Sequence, residues 1–186
     1  MKQYPITIGF DDASFELKSN IQKTQLIGVV CQGFRVVKVL ITPIFIDGDD
    51  ATRTLIKLAK KNEKHIQYIL TDTITFGGFN IIDLEEIYRQ LKIPIIAVTE
   101  KKVDLESVKA ALIKNFPKSY KRKLQYIINA GDLCEIDIKT AGGLSKVYFH
   151  SKGVSYEEVN ALFQKLCIDS KLPEPVRIAH IIGKAF

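Results

Sequence analysis

Cysteine is scarce in this chain, and its distribution excludes two kinds of architecture. The three cysteines, Cys31, Cys134 and Cys167, are widely spaced, form no CxxC pair and lie within or beside apolar runs. Small buried hydrophobes in a reducing compartment are distributed in this way, whereas a disulfide framework or a zinc site needs paired spacing. Long apolar runs are missing too: none approaches the ~20 residues that span a bilayer. Met1-Lys2-Gln3-Tyr4-Pro5 lacks the apolar stretch of a secretory signal, so a cytoplasmic location without membrane attachment is expected. There is no internal repeat, low-complexity tract or long linker. Gly77-Gly78 has no P-loop or Gly-x-Gly-x-x-Gly context, which argues against a nucleotide cofactor and leaves backbone permissiveness near a site as the simpler reason for the pair.

What is present describes an ordinary globular protein. With 186 residues, 46% hydrophobic and 26% charged, the chain is expected to form one domain over residues 1–186. A domain of that size buries roughly two-thirds of the surface its unfolded form exposes, enough to fold without a staple. The net charge of +6 favours polyanionic partners through steering and counterion release, and nucleic acid is the expected one.

The apolar pattern changes period along the chain. Tyr4–Phe10, Leu26–Val30 and Val36–Ile41 read as strands, the last two joined as a hairpin across Cys31-Gln32-Gly33-Phe34. From Ala51 a helical stripe of Ala51, Leu55, Leu58 and Ala59 runs until the polar Lys60-Lys61-Asn62-Glu63-Lys64. The unbroken runs Ile66–Leu70 and Ile93–Val98 look like strands buried on both faces, with Leu84, Ile87, Tyr88 and Leu91 marking a crossover helix between them. Asp104 caps a helix ending at Phe116-Pro117, and Ser155-Tyr156-Glu157-Glu158 is a capping box. Tyr126–Ile128 and Val147–Phe149 read as short strands. A last helix follows Pro173-Glu174-Pro175, with Ile178, Ile181, Ile182 and Ala185 as its apolar stripe.

Three antiparallel strands followed by parallel β-α-β units form the element order of an α/β, ribonuclease H-like fold. That fold carries its carboxylates on the first strand, near the first helix and at the end of the fourth strand. Aspartates stand at all three stations: Asp11 and Asp12, then Asp47, Asp49 and Asp50, then Asp72. Asp49 and Asp50 are also explained as helix caps. Asp72 is harder to dismiss, because it ends a wholly apolar strand ahead of the Gly77-Gly78 loop, where α/β sheets form sites. Clustered carboxylates repel one another unless a cation is present, so they imply a hard divalent ion, magnesium or manganese, and with it phosphodiester hydrolysis.

Four blocks carry a resemblance. Ile8-Gly9-Phe10-Asp11-Asp12, Asp47-Gly48-Asp49-Asp50-Ala51-Thr52, Thr75-Phe76-Gly77-Gly78-Phe79-Asn80 and Pro173-Glu174-Pro175-Val176-Arg177-Ile178-Ala179-His180 resemble the archaeal family known as domain of unknown function ninety-nine. That family is similar in turn to endonuclease V, which cuts nucleic acids near deaminated adenine with metal-bound carboxylates. The resemblance implies Asp11 and Asp72 as catalytic aspartates and metal ligands, and Phe45 at the place of a strand-wedging tyrosine. The enzyme's glutamate falls on Thr54, so Asp50 or Asp49 is left as the third ligand, with Asp12 accessory. Its Gly-His block appears as Gly153-Val154, its lysine falls on Glu100, and Asp72 is followed by Thr73 where the enzyme has glycine. The function so implied is a metal-dependent nuclease acting on deaminated or single-stranded nucleic acid, with a binding protein that has lost hydrolysis as the alternative.

Other groups have two readings each. His180, with Arg177 and Lys184 on the polar face of the last helix, can bind phosphate or replace the missing histidine, and a structural role is simpler. His65 reads as solvated, while His150 approaches the site only if the sheet edge folds over it. Lys121, Arg122 and Lys123, close to Lys114 and Lys118 and interleaved with Phe116 and Tyr120, have the mixture of charge and rings used on single strands, or form a solvated loop.

Overall fold

A computed structural model describes residues 4–16, 21–61, 64–99, 101–102 and 104–186. Glu100, Asn62 and Glu63 of the polar run after the first helix, and the Met1-Lys2-Gln3 start lie outside the described residues. The chain opens with the expected meander, in which β1 (Ile6–Asp12), β2 (Lys23–Gln32) and β3 (Arg35–Phe45) pair antiparallel in turn. Gln32 faces Arg35, so β2 and β3 are joined by the two residues Gly33-Phe34, and Gly33 takes a φ of 60° that costs glycine nothing.

α1 (Ala51–Lys60) then leads to β4 (Tyr68–Asp72), which lies parallel to β1. A small hairpin of β5 (Thr75–Phe76) and β6 (Asn80–Ile81) precedes α2 (Leu84–Leu91) and β7 (Ile95–Thr99), parallel to β4. The sheet is completed by β8 (Cys134–Thr140) and β9 (Gly143–Lys152), giving the order β3-β2-β1-β4-β7-β9-β8. This is the ribonuclease H-like α/β arrangement, extended at one edge by an antiparallel pair. β4 and β7 are buried on both faces: Ile69 and Ile95 pack toward α1 and α2, while Leu70 and Ile96 pack toward α5 (Tyr156–Leu166).

Caps read from the sequence hold. Asp104 accepts from the amides of Glu106 and Ser107 ahead of α3 (Leu105–Asn115), and Ser155 accepts from Glu158 ahead of α5. Two expectations need correction. Tyr126–Ile128 is no strand but lies inside α4 (Tyr120–Ala130), where Ile127 is buried and Ile128 is exposed, the one-sided burial of a helix. In α6 (Glu174–Gly183) the most buried stripe is Val176, Ala179 and Gly183; Ile178 and Ile182 of the expected stripe are half-buried against the core, while Ile181 is 51% exposed. The reason is proximity. A Cβ on Gly9 of β1 would lie 2.3 Å from the Pro175 carbonyl carbon, and one on Gly183 would lie 2.6 Å from the Asp12 carbonyl oxygen. Only small side chains fit where α6 crosses β1.

Candidate metal centre

Register brings the first two carboxylates together. In the parallel pairing of β1 with β4, Phe10 faces Thr71, so one residue further on Asp11 and Asp72 stand side by side at the strands' carboxyl ends. Alternation along a strand puts Gly9 and Asp11 on one face, the face that α6 covers. The two glycine contacts hold α6 against that face at both of its ends, and His180 between them meets Asp11, with 2.7 Å between Nδ1 and Oδ2. One ligand atom each from Asp11, Asp72 and His180 lie within 4.8 Å of one another.

Asp11 is only 5% exposed, and its carboxyl is pushed up to about 8, first by burial and then by the charge of Asp72. Burial also raises Asp12, although its Oδ2 accepts from the Gly77 amide. Two carboxylate oxygens and an imidazole nitrogen around one point, one of the carboxyls raised by burial and by its acidic neighbour, fit a divalent cation.

Two cavities meet at this centre. One, of about 480 Å³, has Asp11, Asp12, Asp72 and His180 in its wall together with Lys184 and Phe15. The other, of about 300 Å³, is apolar, bounded by Ile74, Phe79, Ala97, Val108 and Ile127, with His150 at its side. Thr73, Thr75 and Gly78 line both and so form the partition. Thr73 has a φ of 56°, a left-handed value that a β-branched residue rarely adopts. The conformation natural to a glycine after Asp72 is therefore kept with threonine in place, held by Thr73 N donating to Val98 O and Thr73 Oγ1 to Thr75 O.

Residues 6–186 match the family model for endonuclease dU. The chain belongs to that family. Its archaeal relatives include a UPF0215 protein of Thermococcus sibiricus, 37% identical over 96% of this chain and 90% of the relative, and one of Nanoarchaeum equitans, 33% identical over 99% and 89%. A crystal structure of an Archaeoglobus fulgidus protein superposes with a TM-score of 0.83 at 31% identity, covering 97% of both chains. Endonuclease V of Ciona intestinalis, in complex with DNA containing an inosine, superposes at 0.61 and 14% identity over 95% of this chain and 83% of that one. Marinitoga piezophila Argonaute gives 0.55 at 16% identity over 94% and 29%. The last two share the fold.

In this member of the endonuclease dU family the other aspartates are engaged elsewhere. Asp50 precedes α1 but makes no side-chain cap; its Oδ1 accepts from the Phe45 amide at 3.2 Å and from Asn80 Nδ2 at 2.7 Å, while Asn80 Oδ1 takes the Ala51 amide. Asp49 pairs with Arg122 and with Lys123. Neither belongs to the cluster formed by Asp11, Asp72 and His180.

Lys123 needs a correction as a nucleic-acid contact. Its side chain is 1% exposed, and its Nζ donates to the carbonyls of Gly48 and Phe79 at 2.7 Å each. It is a strut that ties α4 to the loops beside the centre, and no strand can reach it. Arg122 is 53% exposed and Lys121 is exposed, so both remain on the surface. Phe45, at the end of the edge strand β3, is 44% exposed with Lys23 Nζ 4.5 Å above its ring. Arg177 is held by Glu174 and Asp169, away from any phosphate role. Gly153 packs on the Tyr88 ring.

His180 is the residue to which the sequence assigned too little. The available signal was Gly9: an isolated glycine in an apolar strand marks a close backbone approach, here that of α6.

Proposed function

We propose that this protein is a divalent-metal-dependent endonuclease acting on nucleic acid that carries a deaminated base such as deoxyuridine or inosine. The observation that carries the reading is the convergence of Asp11, Asp72 and His180 at the wall of a polar cavity that shares Thr73, Thr75 and Gly78 with an apolar one. Asp11, Asp72 and His180 hold the ion, manganese or magnesium, in place of an all-carboxylate set using Asp49 or Asp50. The imidazole donor favours manganese, because magnesium prefers oxygen. A bound divalent ion supplies water activation and offsets charge on the phosphodiester.

The rest follows from this chain's own side chains. Lys184 at the polar cavity attracts the scissile phosphate, and the apolar cavity accepts a base turned out of its stack, which enzymes working on bases require. Deaminated bases pair weakly, so turning one out costs less. The exposed ring of Phe45 offers a stacking contact, and Lys121 and Arg122 add surface charge.

Purified protein with manganese is expected to cut a single strand containing deoxyuridine or inosine in preference to its unmodified counterpart. Asp72→Asn is expected to abolish cutting and leave most binding intact, because the basic surface is untouched. Binding without cleavage in both magnesium and manganese would leave a nucleic-acid-binding protein of the same fold in place of the nuclease.

A further inference from the structure

His150 stands in the wall of the apolar cavity, on β9 beside Ala97 of β7, and takes no part in the metal centre. Its ring is half-buried, and its Nδ1 is buried with no hydrogen-bond partner. The other polar side chains of that wall, among the described residues, are threonines that are already engaged. The hydroxyls of Thr73 and Thr99 donate to the carbonyls of Thr75 and Lys101, and Thr75 Oγ1 meets Thr73 Oγ1. A buried polar atom without a partner is costly unless a ligand supplies one.

The kind of partner follows from the ring's proton. Burial holds the His150 pKa below its ordinary value, outweighing hydrogen bonds to the backbone of Gly131 and Asp132 that favour the charged form. The ring is therefore neutral near pH 7. Bonds that favour the charged form are ones the ring donates, and Nδ1 makes none, so the proton is assigned to Nε2 and Nδ1 keeps a lone pair.

We propose that His150 is the specificity residue of this cavity, its Nδ1 accepting a hydrogen bond from the ring N–H of a deaminated base. This rests on the reading of the cavity as the place of a base turned out of its stack, where the pairing edge is read by hydrogen bonds. Deamination changes that edge at one atom. Cytosine N3 and adenine N1 carry lone pairs, whereas uracil N3 and hypoxanthine N1 carry a hydrogen. Nδ1 meets a donor in the deaminated base and a second lone pair in its parent, and a site built to bond an N–H rejects the analogue that lacks it. Thymine and guanine have the same N–H, so His150 separates a deaminated base from its own parent and leaves the other two to the shape of the cavity.

The test is fluorescence anisotropy in EDTA on the full chain, with labelled single strands that differ in one central base: uracil, cytosine, hypoxanthine, adenine or N3-methyluracil. Wild type is expected to bind uracil over cytosine, and hypoxanthine over adenine, by at least about tenfold, and to treat N3-methyluracil as it treats cytosine. His150→Phe keeps a flat ring and removes the acceptor. It is expected to bring both ratios close to one while its affinity for the cytosine and adenine strands stays at the wild-type level, whereas a merely structural role would weaken every strand alike. Wild type that binds the strands of each pair equally, or binds none, overturns the proposal, as does a variant that keeps the wild-type ratios. Should the variant fail to fold, the methylated strand decides within the wild type, since binding as tight as that of uracil overturns the proposal. Discrimination without metal-dependent cutting leaves the role of His150 standing and removes the nuclease reading, and cutting without discrimination does the reverse.

Discussion

His180 Nδ1 lies 2.7 Å from Asp11 Oδ2, although 169 positions separate the two residues in the chain. The contact joins the last helix to the first strand at the point where Asp72 ends the fourth strand, so the candidate centre depends on the whole chain being folded. With the Asp11 carboxyl raised to about 8, the ion-free protein near neutral pH holds a proton there, and a cation has to displace it.

That proton makes stability depend on pH. Folding raises the Asp11 value from its ordinary 3.8 to about 8, so the folded protein binds the proton more tightly than the unfolded chain. The associated stability is complete below about pH 4 and is lost as pH rises through about 8. In EDTA the wild type is expected to lose melting temperature between pH 5 and pH 9 more steeply than Asp11→Asn, which stays neutral throughout. At pH 9 the variant gains on the order of a few kcal/mol relative to wild type. Parallel melting curves for the two proteins across that range would rule the account out.

Thr73 offers a test of stored backbone strain. At a φ of 56° a threonine sits where glycine pays no Cβ penalty, so Thr73→Gly is expected to relieve about 1–2 kcal/mol. The lost Oγ1 bonds to Thr75 and the freer unfolded chain offset part of that gain. Denaturant unfolding should show a variant no less stable than wild type. A loss above about 1 kcal/mol would mean that the hydroxyl bonds outweigh the strain.

Lys121 and Lys123 are two positions apart on α4 and face opposite ways, Lys121 exposed and Lys123 buried, which assigns them opposite effects. Lys123→Met leaves the Gly48 and Phe79 carbonyls without their donor and takes one of Asp49's two cations, a loss of about 1–3 kcal/mol. Lys121→Gln is expected to stay within about 0.5 kcal/mol of wild type and to weaken strand binding at low salt instead. Equal stability of the two variants in urea would contradict the strut.

Much of this was legible in the sequence. Apolar-rich runs marked the doubly buried strands β4 and β7, and the polar side chains of Asp104 and Ser155 marked helix starts, because those signals are local. Asp11 and Asp72 were readable from strand ends. What escaped was set by packing between distant elements. Tyr126–Ile128 has the composition of a strand, but Ile127 is buried with Leu112 and Ile81, and Tyr120 and Leu124 of the same helix pack against that cluster. The inward face of α6 was read in part: Ile178 and Ile182 do pack against the core, but large isoleucines outweigh Val176, Ala179 and Gly183 in any hydropathy pattern, while closeness to β1 selects the small ones. His180 was read as able to replace the missing histidine, with a structural role as the simpler reading, and Asp49 and Asp50 stayed candidates because their partners, Arg122, Lys123 and Asn80, come from elements far along the chain.

The central claim is that Asp11, Asp72 and His180 hold one divalent ion, and calorimetric titration of manganese at pH 8 tests it most directly. Wild type is expected to bind one ion per chain, Asp72→Asn and His180→Ala to lose at least tenfold in affinity, and Asp49→Asn and Asp50→Asn to bind as wild type does. Manganese binding that survives in His180→Ala and disappears in Asp49→Asn or Asp50→Asn would contradict it.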